Sequence, residues 1–150
     1  MTFQEEQKFT QWWLWAFLIG LTMIPVSSLL WQFYAGKTID VEMIIFFVAM
    51  IPFLLLFHFL ELKTSITEET IQVKFNPLVN KTIYWKDVAS AELVNYGFVG
   101  GWGVRLGTKY GTVYNTSGKE GLALVLKNGQ KYCIGTQRSD ELEDYLKSIS

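Results

Sequence analysis

Two long stretches without a charged side chain dominate the N-terminal part of this sequence. The first is Trp12–Tyr34 and the second is Met43–Leu60. At 1.5 Å per residue, each can cross a hydrocarbon core of about 30 Å as an α-helix. Neither has the polar face that a helix at the surface of a soluble core would show. We therefore predict two membrane-spanning helices, with two buried core helices of a soluble protein as the alternative.

Aromatic residues at both ends of the first stretch support the membrane interpretation. From Trp13 to Trp31 a helix would measure about 27 Å, close to the separation of the aromatic belts of a bilayer. The link between the stretches, Ala35–Glu42, is short enough to force an antiparallel hairpin. Asp40 or Thr38 is expected to cap the second helix. The predicted membrane-interface anchors are Trp12, Trp13, Trp15, Trp31 and Tyr34.

The distribution of lysines predicts which side of the membrane the chain ends occupy. Lys8 precedes the first span, Lys63 and Lys74 follow the second, and the turn contains only Lys37. Because basic residues are enriched on the cytoplasmic side, both termini are predicted to be cytoplasmic in a plasma membrane protein. The single cysteine, Cys133, is compatible with a reducing compartment. The predicted division of the chain is a cytoplasmic N-terminal segment 1–11, a transmembrane hairpin 12–60 and a separate domain 61–150.

After Leu60 the hydrophobic pattern changes to the alternation that is typical of β-strands. Residues 62–66 and 71–75 predict a first hairpin, and Asn128-Gly129 predicts a later one with a type I′ turn. Residues 139–149 predict an amphipathic helix, with Ser139 as its N-cap. We expect seven or eight short antiparallel strands forming a partly open barrel or sandwich that the helix caps. A plain sandwich or a lipocalin-like barrel is the alternative.

From residue 61 to residue 149 this pattern resembles the pleckstrin-homology-like (PH-like) domains of small bacterial membrane proteins. The resemblance rests on the strand spacing, on the tract Gly100–Arg105, on Ile134-Gly135-Thr136 and on the terminal helix. It implies a PH-like β-domain behind a two-helix anchor, in a largely uncharacterised family; PH-like folds in general bind lipids, bind peptides or take part in assembly. Lipid-binding PH domains have a basic first hairpin loop. Here that loop is Thr67-Glu68-Glu69-Thr70, so phosphoinositide binding is not implied.

A glycine-rich tract between residues 97 and 121 is the strongest candidate for a functional surface. It contains no phosphate-binding loop pattern, and tight turns and close strand crossings are the structural explanation of its glycines. Aromatic and arginine side chains dominate binding hot spots. The predicted interaction surface is Tyr96, Phe98, Trp102, Arg105, Lys109 and Tyr110, with structural packing as the alternative for Trp102.

The sequence offers little for catalysis or for a metal. Its one histidine, His58, lies in the second apolar stretch, and Cys133 lies in a predicted strand without a histidine base. One Cys and one His exclude a Cys- or His-rich metal cluster. The net charge of −1 gives no general attraction to nucleic acid. We therefore expect no enzyme, no cofactor, no metal and no nucleic acid partner.

Three functions are compatible with these sequence features. The first is a membrane-anchored interaction or scaffold module that binds a protein partner or a second copy of itself. The second is a phospholipid-sensing domain, favoured by the Arg105/Lys109/aromatic tract and by ten basic against six acidic residues between Glu61 and Arg138. The third, an enzyme with an acid-based site, would need an Asp or Glu with a strongly shifted pKa.

Overall fold

The computed structural model describes residues 2–149 of the chain, which form two compact units. One unit is the helical hairpin, Phe9–Phe59. The other, which we call the β-domain, contains residues 2–8 together with residues 60–149. The expected division placed residues 1–11 in a segment of their own, whereas residues 2–8 of the described chain belong to the β-domain.

The helical hairpin consists of α1 (Trp12–Tyr34) and α2 (Val41–Phe59). α1 has the predicted bounds, whereas α2 begins two residues earlier and ends one residue earlier than Met43–Leu60. Both helices are long and apolar enough to cross a membrane, and only 6% of the most apolar window of each is buried. Core helices of a soluble protein would be mostly buried, so the exposure of these helices favours the membrane interpretation.

The turn between the helices follows from its residues. Gly36 has a φ of 65°, a conformation that glycine adopts without strain, and it ends α1. The Lys37 N–H donates to the Gln32 carbonyl over 3.0 Å, as expected for a glycine-terminated helix. The Asp40 carbonyl accepts from Met43 N–H at the start of α2, and its carboxylate accepts from Gln32 Nε2 over 3.1 Å. The turn therefore ties the end of one helix to the start of the other.

The β-domain begins with a four-stranded antiparallel sheet in the order β1-β2-β3-β4. Its strands are β1 (Phe3–Lys8), β2 (Glu61–Ile66), β3 (Thr70–Asn76) and β4 (Val79–Tyr84). The predicted first hairpin is confirmed as β2 and β3. At one end of the sheet Lys8 lies opposite Glu61, and Glu61 lies opposite Asn76. We call this end the base, and we call the Thr67–Thr70 turn at the other end the distal turn.

A second sheet of five strands follows in the order β5-β8-β9-β7-β6. Its strands are β5 (Val88–Asn95), β6 (Gly103–Thr108), β7 (Gly111–Asn115), β8 (Glu120–Leu126) and β9 (Lys131–Thr136). The expectation of purely antiparallel pairing was wrong for one pair, since β9 lies parallel to β7. β9 lies between β8 and β7 in the sheet; it is antiparallel to β8 and parallel to β7. Each sheet keeps two edge strands, so the domain is not a closed barrel.

The turn at Asn128-Gly129 joins β8 and β9 as predicted, but it is not of type I′. A type I′ turn needs positive φ at both central residues. Gly129 has a φ of 86°, while no residue other than glycine has a positive φ among residues 2–149. The Asn128 side chain instead accepts from the Gln130 N–H over 3.0 Å, which stabilises a different turn.

The inner faces of the two sheets form the core, and helix α3 (Ser139–Ile149) packs on it with the predicted bounds. Leu142 and Tyr145 are its buried residues, and the Tyr145 ring lies 6.3 Å from Phe3 of β1. The N-cap prediction is one residue off, because the Arg138 carbonyl accepts the Leu142 N–H and Ser139 is already helical. Side chains without solvent exposure include Leu62, Ile66, Ile71, Val73, Phe75, Val113, Leu122 and Cys133.

Candidate functional site

A crossover segment, residues 96–102, connects the two edge strands of the five-stranded sheet. β5 ends at Asn95 and β6 begins at Gly103, and these strands occupy opposite edges. Tyr96 and Gly97 are held at the start of the segment, because both N–H groups donate to the Lys119 carbonyl, over 2.8 and 3.3 Å. The segment contains three of the six predicted surface residues.

Tyr96 is a packing residue and not part of the surface. It is 4% exposed and packs with Val113 and Cys133, so its inclusion in the interaction surface was wrong. Its ring fits over two glycines: a Cβ on Gly121 would lie 3.0 Å from the ring, and one on Gly135 would lie 2.9 Å from the hydroxyl. Burial raises the pKa of the Tyr96 phenol above its ordinary value.

Phe98 and Trp102 are brought together on the outside of this segment. Their ring centroids lie 6.4 Å apart in an edge-to-face arrangement. Phe98 is 78% exposed, while Trp102 is half-buried. A large apolar side chain with this exposure is available for contact with another molecule.

Arg105 lies beside Gly101, the residue that precedes Trp102, and its Nε has no hydrogen-bond acceptor among the described residues. Its guanidinium group packs against Gly101, whose φ of 126° and lack of a side chain leave room for it. The Arg105 Nε is buried and donates to no acceptor among residues 2–149. A buried N–H without an acceptor is unfavourable, so a carboxylate or phosphate that reached this guanidinium would be stabilised. We call Phe98, Gly101, Trp102 and Arg105 the Arg105 patch.

Lys109 and Tyr110 lie in the turn between β6 and β7, at the other end of β6 from Gly103. The Lys109 Nζ lies 4.8 Å from the centre of the Tyr110 ring. Tyr110 is half-buried and packs against the cluster around Tyr96. The six predicted residues therefore divide into a buried tyrosine, the patch around Arg105 and a separate lysine–tyrosine turn.

Two polar residues that the sequence pattern did not reveal join the sheets of the β-domain. Glu5 and Gln7 of β1 are 5% and 3% exposed and point inward. The Glu5 carboxylate accepts from Thr136 Oγ1 over 2.6 Å and from the Gln137 N–H over 2.8 Å. Gln7 donates to the Gly135 carbonyl and accepts from Thr116 Oγ1, both over 2.8 Å. These bonds attach the first strand of one sheet to the end of β9 in the other.

The one cysteine is unsuited to nucleophilic chemistry. Cys133 is fully buried in β9, and desolvation raises the pKa of its thiol to about 12. A thiol with this pKa carries almost no thiolate at neutral pH, and thiolate is the reactive form. No group of three His, Cys, Asp or Glu side chains that could hold a metal ion occurs within the described residues 2–149.

An apolar cleft of about 270 Å³ lies between the end of α3 and β5. Its lining residues are Glu68, Trp85, Ala91, Leu146 and Ile149. Trp85 is fixed there by a hydrogen bond from its Nε1 to the Thr67 carbonyl over 2.8 Å. The cleft contains no cluster of ionisable groups that would suit acid–base catalysis.

Comparisons with known proteins give no relative. The chain matches no protein-family model, no curated protein and no solved structure.

Proposed function

We propose that this chain is a membrane-anchored, non-catalytic interaction module in which a two-helix hairpin holds the β-domain at one membrane face. The observation that carries the proposal is the pairing of β1 with β2. β1 precedes the hairpin and β2 follows it, yet Lys8 lies directly opposite Glu61. Because the strands before and after the hairpin pair in one sheet, the chain must return after the hairpin to the side of the membrane from which it started.

The helices support the anchoring part of the proposal. α1 extends over about 33 Å, enough for a hydrocarbon core of about 30 Å. Trp12 and Trp31 are 80% and 61% exposed near opposite ends, where a bilayer has its interfaces. The lysine distribution favours the cytoplasmic face of the plasma membrane for the β-domain.

The architecture is compatible with the PH-like resemblance in its coarse features. A four-stranded antiparallel sheet, a second sheet and a C-terminal helix follow in that order from β1 onward. The parallel β7–β9 pair and the use of a strand from before the anchor are departures from the expected pattern. The PH-like assignment is therefore part of the proposal, and it favours binding over catalysis.

The Arg105 patch is the proposed binding surface, and its partner is a protein with an exposed carboxylate. Phe98 supplies exposed apolar area, and the Arg105 guanidinium can bind a carboxylate in a two-point geometry. Aromatic and arginine side chains dominate the binding energy at many protein interfaces.

Affinity purification of the tagged full-length protein from its own membrane tests this proposal. We expect a copurifying protein that is retained by wild type and lost by Trp102→Ala and Arg105→Ala. Lys109→Ala is the matched control, because it removes a basic side chain from the other end of β6. Loss of the partner with the control as well, or no partner with wild type, would contradict the proposed binding surface.

A second candidate is phospholipid sensing by the same patch, because a phosphate would satisfy Arg105 as well as a carboxylate would. Full-length protein in nanodiscs with and without anionic lipid distinguishes the two candidates. Protection of Arg105 from a guanidine-modifying reagent by anionic lipid alone would favour this second function. Protection that requires the copurified protein would favour the first.

A further inference from the structure

The base of the β-domain presents an exposed leucine in the turn between β3 and β4. The turn between β3 and β4 contains Pro77 and Leu78, and Leu78 is 58% exposed. Because Asn76 pairs with Glu61, which pairs with Lys8, this turn lies at the end of the sheet where the chain enters and leaves the hairpin.

Chain length limits how far this turn can lie from the bilayer. Glu61 is two residues after Phe59, the last residue of α2. Two residues span at most about 7 Å even when fully extended. If α2 ends at the membrane interface, Glu61 and its sheet neighbour Asn76 lie within the headgroup region or directly above it. An exposed leucine in the turn that follows Asn76 is then within reach of the interface.

Basic side chains of the same sheet lie near the base. Lys8, Lys63 and Lys74 occupy its outer face in the two residue positions nearest the base. Lys63 forms ion pairs with Glu6 and Glu61 over 2.8 and 3.3 Å, and Lys8 lies 3.7 Å from Glu61 with most of its side chain exposed. The distal turn instead carries Glu68 and Glu69. The five residue steps of β2 separate the two ends by about 17 Å. That separation exceeds the Debye length of about 8 Å, so the acidic turn is screened from an anionic leaflet.

We propose that Leu78 inserts into the interfacial region of the bilayer and that the exposed Lys8 and Lys74 contact lipid phosphates. This contact would fix the β-domain in one orientation, with the distal turn and the apolar cleft beside it facing away from the membrane. The occupant of this surface is lipid, and the inference rests on the proposed membrane anchor.

The test uses the full-length protein with single cysteines that carry a fluorophore, in vesicles that contain anionic lipid. Cys133 does not interfere, because it is fully buried and its thiol pKa is raised to about 12; unmutated protein provides the blank. The labelled positions are Leu78→Cys at the base, Glu69→Cys in the distal turn and Val48→Cys in α2. Lipids with a nitroxide near the headgroup or deep in the acyl chain serve as quenchers.

The proposal predicts that the shallow nitroxide quenches the label at 78, that the deep nitroxide quenches the label at 48, and that neither quenches the label at 69. Quenching at 48 without quenching at 78 would overturn the lipid contact and leave the anchor intact. No quenching at 48 would overturn both. If a water-soluble quencher reaches the label at 78 in pure lipid vesicles but not in native membranes, a protein covers the turn, and the lipid contact is wrong.

Discussion

Replacing Gln7 by leucine is expected to destabilise the β-domain strongly, although the change conserves side-chain size. Gln7 is 3% exposed and makes two hydrogen bonds of 2.8 Å, to the Gly135 carbonyl and from Thr116 Oγ1. Each bond contributes about 1 kcal/mol, and a buried polar group that loses its partner adds a further penalty. Together these losses amount to about 2–3 kcal/mol.

Gln4→Leu is the matched control for this prediction. It is the same chemical change in the same strand, but the Gln4 side chain is exposed on the outer face of the sheet. Surface substitutions of this kind change the free energy of unfolding by about 0.5 kcal/mol or less. The pair therefore separates loss of the buried hydrogen bonds from any general effect of leucine in β1.

The rate at which Cys133 is labelled by a maleimide measures this loss of stability. Cys133 is the only cysteine of the chain, and it is buried in β9 between two neighbouring strands. A maleimide in excess reacts with it only when the β-domain opens, so the labelling rate follows the population of the open form. A loss of 2–3 kcal/mol corresponds to labelling that is about 30- to 150-fold faster. If Gln7→Leu and Gln4→Leu were labelled at the same rate, β1 would not be an integral strand of the domain.

Three further predictions concern packing and pH. Trp85→Phe removes the hydrogen bond from Nε1 to the Thr67 carbonyl and should lower the free energy of unfolding by about 1 kcal/mol in urea titration. Gly135→Ala should destabilise the domain by about 1–3 kcal/mol, because the new Cβ would lie 2.9 Å from both the Tyr96 hydroxyl and the Asn115 Cβ. Adding Tyr96→Phe should recover part of this loss; no recovery would mean that the hydroxyl does not cause it. The free energy of unfolding should fall as the pH rises from 9 towards 12, since an unfolded thiol titrates near 9.0 and Cys133 near 12. Cys133→Ala should lessen that fall, and an unchanged pH dependence would contradict the assignment.

The helices were predictable because their signals are local. The uncharged run with tryptophans at both ends gave α1 its observed bounds, Trp12–Tyr34. The apolar stripe of residues 139–149 did the same for α3. Alternation of apolar residues predicted β2 and β3 because one face of each strand is buried.

β1 could not be found in this way, because two of its inward positions are polar. Glu5 and Gln7 are buried, yet their burial depends on Thr116, Thr136 and Gly135, which are more than a hundred residues away in the chain. A sequence pattern shows the residue types of one strand and not the partners that satisfy them. The parallel pairing of β7 with β9 is hidden for the same reason, since it depends on how distant strands are placed in the sheet.

The sequence predicted only part of the candidate surface correctly, because burial of a side chain depends on distant parts of the chain. Tyr96, Phe98 and Trp102 are aromatic residues within one short segment, and nothing local distinguishes the buried Tyr96 from the exposed Phe98. Tyr96 is buried because Gly121 and Gly135 make room for its ring. These glycines lie in other strands, so the local sequence does not show that Tyr96 is buried.

We propose that the chain crosses a membrane twice and that strands from both sides of the hairpin meet in one β-domain. Labelling of single cysteines in intact cells with a membrane-impermeant maleimide tests it most directly. Suitable exposed positions are Thr2 before β1, Lys37 in the helical turn and Ser148 in α3. Cysteines at 2 and 148 should react only after permeabilisation, whereas a cysteine at 37 should react in intact cells. Reaction of positions 2 and 148 from opposite sides, or of all three positions from the same side, would contradict it.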